Sequence, residues 1–295
     1  MTRVYGMDLG IGLPNPVPGT PGPLLVDWAR RAEQRGFAGL ATIDRIVYPS
    51  YDSLATLAAA AGATSRIRLL TNILIAPLYP PVLLAKQAAS IDQLSGGRLT
   101  LGMSAGYRPD DYAATERDFH HRGRDFDHAL DLMHRAWRGE PIAGNDLPVG
   151  PTPTNDQRVP VLIGGNGDHA VRRAVKWGAG WTAGGSSAAK AGPFLERVRA
   201  AWRDAGRPGE PRFAALAYYS LGDEVDTASR AYLRDYYGSA SGPEAGEASA
   251  NSALRTPQAI RDAVKSFEGT GFTELYLDPT VASLEQIDRL ADVVL

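Results

Sequence analysis

Two glycine-bearing segments and a handful of polar residues carry whatever chemistry this chain performs. Gly165-Asn166-Gly167-Asp168-His169-Ala170 reads G-x-G-x-x-A, after an apolar run at Val159–Gly164 and ahead of a helical pattern. Backbone N–H groups at a helix N-terminus bind phosphate whatever the surrounding fold, so a phosphate-bearing cofactor or substrate is expected here. A dinucleotide site also needs an acidic residue about 20 positions further on to hold a ribose. The next strand instead ends Trp181-Thr182-Ala183-Gly184-Gly185-Ser186, without a carboxylate, and a nicotinamide site is not expected. Gly102-Met103-Ser104-Ala105-Gly106 matches the G-x-S-x-G nucleophile elbow, which requires a helix directly after the serine and a later acid and histidine. Pro109 disfavours helical angles at Arg108, and no histidine follows His169, so a serine hydrolase is excluded. The glycines fit better as places where backbone approaches a flat ligand.

Metal and thiol chemistry lack their ligands. The chain has no cysteine, which removes thiolate nucleophiles, Fe–S clusters and Cys-ligated zinc. Its five histidines include no i, i+3 or i+4 pair and no H-E-x-x-H, so no metal site is expected. A net charge of -2 on 295 residues argues against a nucleic-acid binder, which would carry a basic excess. No apolar run approaches the roughly 20 residues of a membrane helix. The opening Met1-Thr2-Arg3-Val4-Tyr5-Gly6 lacks a signal-peptide core, and a cytoplasmic location is expected.

The elements that must position these residues alternate. Strand patterns occur at Met7–Leu13, Gly39–Ile43, Ile67–Ile73, Arg98–Ser104, Val159–Gly164, Ala179–Ala183, Arg212–Leu221 and Thr273–Leu277. Helical spacing lies between them, as in Leu25, Trp28, Ala29 and Ala32, or Ile260, Ala263, Val264 and Phe267. Eight strand–helix units predict an α/β fold, a single-domain (β/α)8 TIM barrel over residues 1–295, with its chemistry at the C-terminal ends of the strands. Two stretches interrupt the alternation: Gly139–Arg158, rich in Pro, Gly, Asn and Asp, and Gly238–Ala253 (GSASGPEAGEASANSA), nearly without apolar anchors. The second is predicted to be a flexible insertion between strand seven and helix eight, a candidate lid.

Three blocks, Ser65–Leu74 (SRIRLLTNIL), Pro81–Ala89 (PVLLAKQAA) and Asp92–Gly102 (DQLSGGRLTLG), closely resemble the bacterial luciferase-like flavin-dependent oxidoreductases. Leu13-Pro14-Asn15, Arg122-Gly123 and Pro160–Gly165 add to the resemblance, which runs from about Met7 to Ser186 and is most specific over Ile67–Gly106. It implies a barrel that holds FMN, or the 8-hydroxy-5-deazaflavin coenzyme, at the strands' C-terminal mouth. By matching positions, Asn72 and Ile73 would form a bulge against the flavin ring, often a non-proline cis peptide in the family. Ala105, Gly106 and Tyr107 would line the ring or ribityl chain. Gly164, Gly165, Asn166 and Gly167 would cradle the phosphate, with Arg122 or Arg124 adding charge-assisted bonds.

Some positions depart from the family. Asp44-Arg45 stands where Asp-His is frequent, and Tyr107 where deazaflavin-dependent sugar-phosphate dehydrogenases carry Glu. The helix after Arg122 has Asp125 and His128 where the family tends to have Arg and Glu. Loss of both usual proton-transfer groups argues against that dehydrogenase chemistry. The resemblance therefore implies a two-component monooxygenase. In such an enzyme reduced FMN from a separate, transiently bound flavin reductase would react with O2 to a C4a-hydroperoxide that would oxidise a small organic substrate. Arg45 and Tyr107 are the expected polar groups near the reactive edge. The protein is expected to be a homodimer. A deazaflavin-dependent reductase or dehydrogenase and a non-catalytic flavin-binding protein are the alternatives.

Overall fold

The computed structural model describes residues 5–142, 144 and 146–295. Eight strands, β1 (Asp8–Gly12), β2 (Gly39–Thr42), β3 (Arg68–Ile75), β4 (Leu99–Ser104), β5 (Val161–Gly164), β6 (Gly180–Thr182), β7 (Arg212–Tyr219) and β8 (Glu274–Pro279), pair in parallel and in sequence order. β8 closes on β1, with Leu9 opposite Leu275. The expected (β/α)8 barrel is therefore the fold. Helices α1 (Gly22–Arg35), α2 (Ser53–Ala63), α3 (Pro81–Ser95), α4 (Pro109–Ala114) and α5 (Arg122–Trp137) serve the first half. The second half has α6 (Asp168–Trp177), α7 (Ala188–Asp204), α8 (Asp226–Ser241), α9 (Pro243–Ser252), α10 (Pro257–Thr270) and α11 (Glu285–Val294).

Strand alternation divides the core in two. Leu9, Ile11 and Leu40 point outward into the layer shared with the helices, beside Trp28, Ala29 and Ala32 of α1. The inward positions form a smaller cluster of Ala41, Leu70, Leu162 and Ala214 around Tyr276, which is 1% exposed. The large ring on the barrel axis leaves no room for a side chain at two of the inward positions. A Cβ on Gly10 would lie 2.4 Å from the Tyr276 ring and one on Gly39 2.6 Å from its hydroxyl oxygen, which explains glycine in two strands.

Below that ring the barrel floor is polar. Arg212 grips Glu274 bidentately at 2.7 and 3.0 Å and donates to Thr100 at 3.0 Å, while Arg68 pairs with Asp8 at 2.6 Å. The Tyr276 hydroxyl donates to Glu274 at 3.2 Å, tying floor to core. Above it, Asp278 occupies the space a Gly12 side chain would need, 2.3 Å from that Cβ position.

Gly238–Ala253 corrects the sequence reading. These residues form the end of α8 and all of α9, not a loop. The small residues that looked like missing anchors are what lets the two helices meet. A Cβ on Gly246 would lie 2.7 Å from the Arg234 carbonyl oxygen and 3.2 Å from the Gly238 Cα, and Ala250 is fully buried. Residues 146–158 run outside the barrel, as expected of that interruption. There buried Asp92 accepts from the Thr154 N–H and hydroxyl at 2.7 and 2.6 Å. Among the described residues no helix is long and apolar enough to cross a membrane.

Candidate active site

A cavity of about 1100 Å³ opens at the C-terminal ends of the strands, and most sequence-selected residues lie on it. Its floor begins at β3, whose pairing with β4 slips between Thr71 and Leu74 and whose Asn72–Ile73 peptide is cis. Asn72 accepts from the Thr182 hydroxyl at 2.8 Å, while its buried Nδ2 has no partner. Gly102 makes the slip possible, because a Cβ there would sit 2.2 Å from the Thr71 carbonyl oxygen. The first glycine of the G-x-S-x-G motif thus serves backbone approach. Ser104 accepts only from the Gly106 N–H, at 3.1 Å, and no histidine bonds to it among the described residues. Gly106, at φ +65°, packs against Ile75, and Gly164 faces the tip of Ile73. The result is a side-chain-free strip that fits the flat ring of a flavin.

One end of the cavity is basic. Gly165 holds φ +103° and Gly167 caps α6, so the loop N–H groups and the helix dipole converge there. Arg122 lines this end, donating to the Phe119 carbonyl at 2.8 Å and stacking on the Phe119 ring at 4.0 Å. Arg124 lies at the exposed rim, 3.4 Å from Asp125. The sequence reading missed Arg173, which is buried in the cavity wall, bonded to Asp127 at 2.6 Å and to the Gly123 carbonyl at 2.8 Å. The signal was available: Arg173 falls on the buried face of α6 with Ala170 and Ala174, where an arginine needs a reason. With Asp125 and His128 standing where the family tends to have Arg and Glu, the carboxylate that pairs with Arg173 is Asp127.

The two residues expected at the reactive edge are placed differently. Tyr107 lines the cavity mouth and is 56% exposed. Arg45 does not line the cavity. Its guanidinium turns behind the Tyr236 ring, donates to the Tyr236 carbonyl at 3.1 Å and pairs with Asp110 at 3.3 Å. The cation on the cavity wall is instead Arg108, which donates to the same Tyr236 carbonyl at 3.0 Å. Asp44 also faces the cavity and accepts from the Ile75 N–H at 3.0 Å and the Tyr79 hydroxyl at 3.1 Å. Burial pushes the Asp44 carboxyl up to about 6, because its two donors only partly offset the loss of water.

The far end is walled by Leu216 and Tyr218 from β7, Tyr236 and Tyr237 from α8, and Ser249 and Ser252 from α9. The Tyr218 and Tyr237 hydroxyls are 2.8 Å apart. Burial raises both above the ordinary tyrosine range, so they act as donors, not bases, near neutral pH.

A closed barrel with a glycine-lined cavity, basic at one end, at this face defines the class, and comparison with known proteins agrees. Residues 7–292 match the luciferase-like monooxygenase family. The chain belongs to that family of flavin-dependent oxidoreductases. It is 30% identical over 206 residues to an uncharacterized protein of Mycobacterium tuberculosis, covering 61% of this chain and 71% of that one. The monooxygenase RslO1 from Streptomyces bottropensis superposes with a TM-score of 0.82 at 21% identity, covering 97% of both chains. An F420-dependent secondary alcohol dehydrogenase superposes at 0.78 and 19% identity over 98% of both. At these identities the two structures attest the fold.

Proposed function

We propose that the protein is a reduced-FMN-dependent monooxygenase of the two-component kind, oxidising a small organic substrate with O2. The observation that carries this reading is one continuous cavity with a basic, glycine-lined end and a tyrosine-walled end. Gly164–Gly167, Arg122, Arg124 and Arg173 would hold the phosphate. Asn72, Ile73, Ala105 and Gly106 would border the ring, with the unpartnered Asn72 Nδ2 left to donate to it. Reduced FMN, when bound, supplies the two electrons by which one oxygen atom of O2 enters product and the other leaves as water. The chain's own work is to exclude water and to place donors. The wall of Leu216, Tyr236 and Ile43 does the first, and Tyr107, Tyr218 and Tyr237 do the second. Because the cavity has no nicotinamide fingerprint, reduced flavin would come from a separate reductase.

A second reading has one observation in its favour. A deazaflavin-dependent dehydrogenase needs a proton acceptor beside the hydride donor, and Asp44 is a cavity carboxyl held near 6. Asp44→Asn separates the two. Under the dehydrogenase reading, alcohol oxidation with the deazaflavin rises as pH passes about 6, where the carboxyl loses its proton. The variant then loses that limb and most of its activity, by about a hundredfold. Under the monooxygenase reading, O2 consumption with reduced FMN persists in the variant within a few-fold. Stability gives an independent check. The folded state holds the Asp44 proton more tightly than the unfolded chain does, so this group's contribution falls as pH rises from 3.8 to about 6. Asp44→Asn should flatten that part of the stability profile. Fluorescence titration with FMN and with the deazaflavin, followed by O2 uptake and product analysis, tests the main proposal. Turnover of the deazaflavin alone would reverse it.

A further inference from the structure

The cationic groups around Tyr236 do not balance. Arg45 and Arg108 are 7% and 5% exposed, and both donate to the one carbonyl oxygen of Tyr236, at 3.1 and 3.0 Å. Arg45 has a carboxylate, Asp110, at 3.3 Å. Arg108 has none within ion-pair distance among the described residues, and its buried Nη1 has no hydrogen-bond partner. Asp44 is engaged by the Ile75 N–H and Tyr79, while Asp111 accepts from the Ile46 and Val47 N–H groups at 3.0 and 2.7 Å through Oδ1 alone; its Oδ2 is buried without a hydrogen-bond partner and makes no ion pair with Arg108. A buried guanidinium without a counter-ion is costly, and such a charge on a cavity wall is a place for an anion.

Shape narrows that anion to a class. The Arg108 guanidinium lies between two aromatic rings, 4.9 Å from the centroid of Tyr236 and 5.4 Å from that of Tyr107. Tyr237 packs edge-on against Tyr236 at 5.1 Å, and Leu216 and Ile43 complete an apolar wall. Within the Tyr218–Tyr237 pair one hydroxyl donates to the other, which leaves one O–H free to donate elsewhere. Flat apolar walls, one cation and one spare donor match a planar ring that carries an oxyanion. The basic end with Arg173 lies elsewhere in the cavity and has its own chemistry.

We infer that the tyrosine-walled end of the cavity binds the oxyanion of a planar hydroxyaromatic substrate, with Arg108 as its counter-charge and the Tyr218–Tyr237 hydroxyl pair as its donor. This deepens the proposed oxidation at the same site and rests on that reading for its catalytic meaning, although the binding itself needs no flavin.

The test uses flavin-free protein and p-nitrophenol, whose phenol and phenolate forms absorb at different wavelengths. Bound probe should be enriched in phenolate relative to free probe at the same pH. Charge-assisted hydrogen bonds set the scale: Arg108→Gln should weaken phenolate binding roughly ten- to a hundredfold, Tyr237→Phe about fivefold, and Arg108→Lys less than Arg108→Gln. Binding of 4-nitroanisole, which does not ionise, should change no more than about twofold in any of them. Probe bound by the wild-type protein as neutral phenol overturns the inference, whether or not the variants fold. It is also overturned if Arg108→Gln weakens FMN while leaving the phenolate untouched, since the charge then serves the cofactor. Phenolate enrichment without binding of reduced FMN under anaerobic conditions would leave the subsite standing and remove the monooxygenase reading instead.

Discussion

Gly167→Val is expected to weaken flavin binding by about a hundredfold or more while leaving thermal stability nearly unchanged. Gly167 sits at φ -100° and ψ 172°, ordinary extended backbone that valine adopts freely, and nothing lies within 4 Å of where its Cβ would project. The new side chain therefore meets open cavity, not protein. What it occupies is the space in front of the α6 N-terminus, where a phosphate would collect two or three charge-assisted bonds worth about 1.5–3 kcal/mol each. Gly165→Val is a poorer probe, because φ +103° is a backbone state that L side chains rarely adopt and folding would suffer as well. Fluorescence titration with FMN and the deazaflavin, read beside a melting curve, checks the result. Undiminished affinity in Gly167→Val would place the phosphate elsewhere.

Glu274→Ala should destabilise the fold by about 3–5 kcal/mol, since it strands a largely buried guanidinium whose partner is gone. The side chains of Arg212 and Glu274 are 29% and 3% exposed, and the pair also holds Thr100 and the Tyr276 hydroxyl. Glu274→Gln keeps the shape and one acceptor and should cost less. The double variant Arg212→Met/Glu274→Leu should recover most of the loss, because apolar packing can replace a buried ion pair at little net cost. Urea unfolding measures all three. A loss below about 1 kcal/mol in Glu274→Ala would mean that solvent reaches the barrel floor and screens the charge. Flavin affinity, set at the opposite end of the barrel, should be untouched in the folded fraction.

The sequence reading succeeded where structure is local. A period of two at the strands, a period near 3.6 between them and glycine at helix ends are properties of neighbours in the chain, and eight repetitions left the barrel as the consistent outcome. The glycine turn ahead of α6 was legible for the same reason, because Gly165–Gly167 and the helix they open are contiguous. Even the unusual peptide at Asn72–Ile73 followed from a local resemblance.

Three features were decided by tertiary contact alone. At Asp44-Arg45 adjacent side chains leave the strand end on opposite sides, so Asp44 faces the cavity and Arg45 turns behind Tyr236. Only the position of α8 shows which is which, and it is Arg108 that reaches the wall. Residues 238–253 read as a loop because composition counts apolar anchors. Gly246 instead acts by lacking a side chain, which matters only when another helix is near enough to need the space. The tyrosine wall likewise joins Tyr218 of β7 to Tyr236 and Tyr237 of α8, and its 2.8 Å hydroxyl pair exists only once strand and helix pack. Sequence by itself determined the elements, their order and the glycine turn that opens α6, since each is encoded in neighbouring residues. The tertiary structure decided which charges face the cavity and which are spent holding it together, because burial and pairing are properties of the space between elements.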